Sequence, residues 1–207
     1  ENTEVNSRAT IYLNAAAALL MGILPEDWSF FTDREEIVPA RLRDAPSFEA
    51  AYGAFLANLR ALVAAHVARR NRTEREGPRY NPCPLHSSTI ADCLDRAMDM
   101  TGGGARYSPG SVSLAGIGTV VDSLFAIREA VYERRLTDWD RLAAALAADF
   151  AGEEALRRRL AALPKFGQED EEIRAFSARV FADAAAAGSG LPNTRGGRYE
   201  ASIFSFR

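Results

Sequence analysis

Apolar residues return at steps of three and four along most of this chain, and that spacing constrains the fold more than any other feature. Phe48, Tyr52, Phe55, Leu59, Leu62 and Val63 fall on one face of a helix, because side chains at i, i+3 and i+4 lie over one another. Val120, Leu124, Ile127 and Val131 form a second stripe. Leu142, Leu146 and Phe150 form a third, Leu156, Leu160 and Leu163 a fourth, and Ile173, Phe176, Val180 and Ala184 a fifth. Ala9 to Gly22 is rich in alanine and leucine and reads as a buried helix that stops at its glycine. Extended character is confined to Ala105–Leu114 and Tyr199–Phe206. The pattern predicts a mostly α chain with few short strands.

Local signals set the expected boundaries. Asp44 caps the helix of the first stripe, with Pro46 near its start, and the helix runs to about Arg70. A proline-rich loop follows from Asn71 to Pro84. Ser87 to Met100 reads as helical and ends at Gly102-Gly103-Gly104. Thr119 with Asp122 resembles a capping box, and Thr137 caps the third stripe. Pro25 to Pro46 is irregular, with Trp28, Phe30 and Phe31 as anchors, and Gly188 to Gly197 is rich in turns.

Composition excludes several classes. With 207 residues the chain can bury a real core. Its formal net charge is −3, which gives no ground for a nucleic-acid partner. The runs Arg69, Arg70, Arg72 and Arg157, Arg158, Arg159 have acidic neighbours and read as solvated helix faces. No continuous apolar run is long enough to cross a bilayer, the longest being Ala15 to Gly22, so no membrane partner is expected. Cys83 and Cys93 make no disulfide framework, which fits a reducing, cytoplasmic setting. His66 and His86 are too few for the usual histidine metal site. The chain lacks an initial methionine and stops within an apolar stretch at Ser205-Phe206-Arg207. It is expected to be a piece of something longer.

The local constellations favour plain roles. Gly102-Gly103-Gly104 follows a helix and reads as a stop rather than an anion cradle. Gly116-Ile117-Gly118 precedes a helix, but Val121 stands where a dinucleotide fingerprint needs its third glycine. Cys93, near Asp92 and Asp95, reads as a helical cysteine and not a nucleophile. His86-Ser87-Ser88 invites a hydrolase reading, yet no third partner is evident. Arg8 stands at the start of the apolar Ala9–Gly22 helix, where a cation opposes the helix dipole. A neighbouring acid, or a carboxylate ligand, would offset it.

An ordered series of short motifs carries a resemblance. Pro82-Cys83-Pro84-Leu85-His86-Ser87-Ser88 leads to Asp92-Cys93, to Gly103-Gly104-Ala105-Arg106-Tyr107, and to Gly118 with Asp122-Ser123-Leu124-Phe125-Ala126-Ile127. Leu163-Pro164-Lys165-Phe166-Gly167 and Asn193-Thr194-Arg195-Gly196-Gly197-Arg198-Tyr199 follow. The series resembles the lyase domain of the glycyl radical enzymes, the family of pyruvate formate-lyase and glycerol dehydratase. Gln168-Glu169 and Thr194 depart from that family's pattern, which marks the chain as a divergent member.

The resemblance implies a whole protein built on a ten-stranded α/β barrel, of which residues 1–207 are one part. It implies a glycyl radical near the C-terminus, installed by an activating enzyme that uses S-adenosylmethionine and an iron–sulfur cluster. It also implies a catalytic cysteine in a Gly-Cys-x-Glu loop. Neither that motif nor an Arg-Val-x-Gly-Tyr-like motif occurs here, and Cys93 matches a non-catalytic family cysteine. The chain is therefore expected to lack the cysteine loop and the glycyl radical domain, to hold no catalytic residue, metal or cofactor, and to be inactive alone. Two positions match substrate contacts. Arg8 corresponds to the arginine that holds the pyruvate carboxylate in pyruvate formate-lyases, and Phe204 to a tyrosine lining the dehydratase pocket. The implied activity is cleavage of a C–C, C–O or C–N bond in a small polar substrate by a protein that leaves room for a homodimer. A degenerate paralogue with a structural or binding role is the competing expectation.

Overall fold

The structure is a computed structural model, and it describes residues 9–24 and 37–204. Arg8, Trp28, Phe30 and Phe31 lie outside the described residues. The elements are β1 (Ala9–Asn14), α1 (Ala16–Ile23), α2 (Phe48–Tyr80), α3 (Pro84–Ser87), α4 (Ala91–Asp95), β2 (Gly110–Ala115), α5 (Ile117–Ile127), α6 (Trp139–Ala147), α7 (Glu154–Ala161), α8 (Glu171–Gly188) and β3 (Tyr199–Phe204). A π-helical turn, Arg128–Glu133, continues α5.

The first element corrects the sequence reading. Ala9–Asn14 is a strand, and the helix begins at Ala16. Ile11 and Leu13 are buried while Tyr12 is exposed, the alternation of a half-buried strand. Asn14 ends it, its side-chain oxygen accepting the Ala16 N–H at 3.0 Å. The expected clash of Arg8 with a helix dipole therefore disappears, since the helix starts well beyond it. Gly22 is not a stop either. It lies buried inside α1, and a Cβ there would meet the Ala40 carbonyl at 2.9 Å. The bare backbone lets the returning chain pass, so that the Leu42 N–H donates to the Gly22 carbonyl at 3.0 Å.

Other boundaries shift for local reasons. Ser47, not Asp44, caps α2, accepting the Ala50 N–H at 3.3 Å. The helix runs ten residues past Arg70, through Pro78 in its final turns, because the charged stretch pairs with itself, Arg70 meeting Glu74 at 3.0 Å one turn on. Ser87–Met100 forms short turns in place of one helix. Thr119 does not cap α5, whose N-cap is Gly116 at φ 76°. Asp138, not Thr137, caps α6 by accepting the Arg141 N–H at 2.8 Å. The stripe of α8 is as read: Ile173, Phe176, Val180 and Ala184 are all buried. Val131, in contrast, is only half-buried, because the π turn rotates it off the α5 face.

The described chain divides into two compact units. The sheet unit comprises residues 9–13, 62–114 and 185–204. Its three strands run parallel in the order β1-β2-β3. The helical unit comprises residues 14–24, 37–61 and 115–184. There α1 packs on α5, and Phe48, Tyr52, Phe125 and Phe176 form an aromatic core. An 18-residue window of α2 has mean hydropathy 1.2, long and apolar enough by composition to cross a membrane, but half of it is buried within the protein. Asn58, in mid-helix and 1% exposed, shows the helix to be a core element. Its side chain accepts the Ala40 N–H at 2.8 Å and donates to the carbonyls of Ala40 at 2.9 Å and Ala18 at 3.2 Å.

Replacing Asn58 with alanine leaves the half-buried Ala40 N–H without its acceptor and the buried Ala18 carbonyl without this donor. We expect Asn58→Ala to destabilise the fold by roughly 2–3 kcal/mol, read as a fall in the urea midpoint at unchanged slope.

Candidate functional site

Parallel sheets are normally covered on both faces. Here one face is covered and the other open. Ile11, Leu13, Val112, Leu114 and Tyr199 are buried on the first face, and Ala201 lies against Gly188 of α8. The opposite alternation places Thr10, Tyr12, Ser111, Ser113, Glu200, Ser202 and Phe204 on the second. Tyr12 is 68% exposed and Phe204 38% exposed. Their rings meet edge to face across the central strand, 5.7 Å between centroids. Ser202 Oγ lies 2.7 Å from Ser113 Oγ and 3.1 Å from Ser111 Oγ. This open face, with one aromatic pair and one hydroxyl cluster, is the candidate site.

The segment before β3 sets its register. Asn193 Oδ1 accepts the N–H groups of Arg195 and Gly197, both at 2.9 Å, while its Nδ2 donates to the Ser108 carbonyl at 2.6 Å. Arg195, with its side chain 3% exposed, donates from Nη2 to the Pro109 carbonyl at 3.1 Å. The Gly110 N–H then donates to the Arg198 carbonyl at 2.9 Å and begins the ladder. Gly110 also has to be bare, since a Cβ would strike the Tyr199 ring. Burial pushes the Tyr199 phenol up to about 12, so it remains a neutral donor to Asn71 Oδ1 at 3.2 Å.

The remaining motifs are fastenings as well. Gly104 passes between Met98 and Cys93, and Ala105 joins Ile90, Cys93 and Met100 in a small apolar cluster against which Cys83 packs. Neither cysteine is in a disulfide. Asp92, buried, pairs with Arg106 at 3.2 Å. In the helical unit Asp122 Oδ1 accepts the Phe166 N–H at 2.7 Å, and Lys165 Nζ donates to the Leu160 and Leu163 carbonyls at 2.9 and 3.0 Å, closing the end of α7. The His86–Ser87 idea fails on geometry. Ser87 is buried; its hydroxyl donates to Asp99 Oδ2 at 2.8 Å and accepts the Met100 N–H at 2.9 Å. Among the described residues no group of three or more His, Cys, Asp or Glu side chains is placed to hold a metal ion.

Of the two positions singled out in the sequence, Phe204 lies on the open face and Arg8 is outside the described residues. Sequence reasoning missed Tyr12, Ser111, Ser113 and Ser202. The alternation in Thr10-Ile11-Tyr12-Leu13-Asn14 was the signal that would have found Tyr12.

A parallel sheet with one face covered and the other open has the pattern of a stretch of α/β barrel wall. The pyruvate formate lyase-like family model matches residues 2–207, and the chain belongs to that family. Trans-4-hydroxy-L-proline dehydratase of Clostridioides difficile is 32% identical over 158 residues, covering 76% of this chain and 20% of that enzyme. Isethionate sulfite-lyase of Desulfovibrio desulfuricans is 36% identical over 87 residues, 42% of this chain and 10% of that enzyme. The crystal structure of hydroxyproline dehydratase from Clostridioides difficile with trans-4-hydroxy-L-proline bound superposes with a TM-score of 0.84 at 28% identity, over 93% of this chain and 24% of that one. The chain thus spans about a fifth to a quarter of the length of these relatives, and its fold is an arc of the glycyl radical enzyme barrel.

Asp99 gives a pH test of the fastening that holds Cys83 and Ser87. Burial works to raise its pKa, but donors from the Thr101 side chain and backbone, from Ser87 and from the Cys83 N–H outweigh it and hold the carboxyl below its ordinary 3.8. The stabilisation is therefore complete above that ordinary value and is lost as pH falls through the lower folded value. We expect the acid limb of the stability–pH profile to flatten in Asp99→Asn, with reduced stability at neutral pH, as measured by thermal unfolding across pH.

Proposed function

We propose that the whole protein is a glycyl radical lyase or dehydratase, and that this chain is a stretch of its barrel wall whose open face lines the substrate cavity. The observation that carries the reading is the uncovered face of a parallel sheet, bearing hydroxyls and aromatic rings where a covered sheet would bear aliphatic side chains. The likeness to a dehydratase holding its substrate supports it, as does the kinship with a sulfite-lyase. Phe204 is a substrate contact in this reading. A phenylalanine cannot donate the hydrogen bond that a tyrosine hydroxyl would, so the cavity is more apolar at that point. Arg8 is a second contact, suited to a carboxylate.

No radical chemistry is assigned to these residues. The sequence holds neither a Gly-Cys-x-Glu nor an Arg-Val-x-Gly-Tyr-like motif, and Cys93 is buried at 3% exposure in an apolar cluster. The radical glycine and the cysteine belong to other parts of the whole protein. Its partners are a small polar substrate and an activating enzyme that uses S-adenosylmethionine and an iron–sulfur cluster. The cytoplasm is its compartment, and a homodimer its assembly.

Electron paramagnetic resonance tests the reading. After anaerobic treatment with its activating enzyme and S-adenosylmethionine, the whole protein should show an organic radical signal, and the 207-residue chain should show none. A signal from the chain alone would overturn the assignment, as would a gene lacking both motifs in the regions that flank it.

A further inference from the structure

We infer that the serine cluster of the open face is a specificity determinant that hydrogen-bonds a substrate hydroxyl group, with Ser202 as the contact. The inference rests on the open face lining the substrate cavity. Each serine hydroxyl offers one hydrogen and two lone pairs. Ser111, Ser113 and Ser202 together hold three hydrogens and six lone pairs. The two contacts of 2.7 and 3.1 Å consume two of each. One hydrogen and four lone pairs remain, one of these five sites on Ser202 and the other four on Ser111 and Ser113. Its exposure is graded: Ser113 is buried, Ser111 half-buried and Ser202 exposed. The two inner hydroxyls therefore fix the outermost one, and Ser202, engaged in both contacts, keeps one site: a lone pair if it donates to one neighbour, its hydrogen if it accepts from both.

The surroundings narrow the choice of ligand. The same alternation puts the Glu200 carboxylate on this face, and among its described residues there is no cation. A carboxylate or sulfonate oxygen can only accept, and it would find at most one hydrogen here. A hydroxyl fits whichever site Ser202 keeps, donating to its lone pair or accepting its hydrogen. Tyr12 and Phe204 supply an apolar wall for the carbon skeleton beside it. A hydroxylated carbon is thus held by the group that discriminates it from its deoxy counterpart, because a site built to pair with a hydroxyl leaves its own polar atoms unpaired when the hydroxyl is absent.

The test uses the whole protein, unactivated, and two matched probe pairs: trans-4-hydroxy-L-proline with L-proline, and isethionate with ethanesulfonate. Dissociation constants are measured by calorimetry for the wild type, Ser202→Ala and Ser202→Thr. In the wild type we expect the hydroxylated member of at least one pair to bind roughly three- to ten-fold more tightly than its deoxy partner, the range one net hydrogen bond supplies. Ser202→Ala should bring that ratio near one, and Ser202→Thr should restore it. A loss of packing alone would weaken both members equally. A ratio that survives in Ser202→Ala overturns the inference while leaving the cavity reading intact. A wild-type protein that binds none of the four probes overturns the cavity reading and the inference with it.

Discussion

The Asn193 side chain is the interaction on which the sheet unit turns. One amide gathers two N–H groups from its own loop and one carbonyl from the approach to β2. That closes the loop on itself and ties it to Ser108 at the same time. The next backbone contact, Gly110 to Arg198, then has one register available. Strand side chains alternate, so a slip of one residue would move Ser202 and Phe204 to the covered face and bring Tyr199 out. The whole content of the open face follows from that one choice.

This gives the family motifs a physical meaning. The Asn-x-Arg-Gly-Gly segment locks β3 beside β2. The Gly-Gly-Ala segment lets Met98, Cys93 and Arg195 close around a backbone with no room for side chains. Lys165 and Phe166 tie the end of α7 to α5. Each is a place where backbone polar groups find their partners or backbones pass close together. None touches the open face, where Tyr12, the three serines and Phe204 sit between the fastenings. Residues that identify the family are thus separate from those that would distinguish one substrate from another.

The sequence made some of this legible and hid the rest. The stripe Ile173, Phe176, Val180, Ala184 was readable because every member faces the core of one long helix. The strand Tyr199–Phe204 was readable from its turn-rich approach and loose alternation. Ala9–Asn14 was misread because its alternating residues run into an alanine-rich helix with no proline or glycine between them, and the break is a single Asn14 side chain folding back on Ala16. The far end of α2 was missed because a charged, proline-containing stretch looks like a loop until Arg70 and Glu74 are placed one turn apart. Phe204 was found through the resemblance. The serine cluster could not be found in sequence, since Ser111 and Ser202 are neighbours only once Asn193 has fixed the register.

Hydrogen exchange in the whole protein carrying Asn193→Ala measures that dependence most directly. In the wild type the amides of Gly110–Ala115 and Tyr199–Phe204 should be protected together, as one ladder. If Asn193 fixes the register, its removal should lower protection in both segments while the α8 amides exchange as before. Protection of both strands unchanged in Asn193→Ala would contradict the account, because the open face would then be held by something other than this amide.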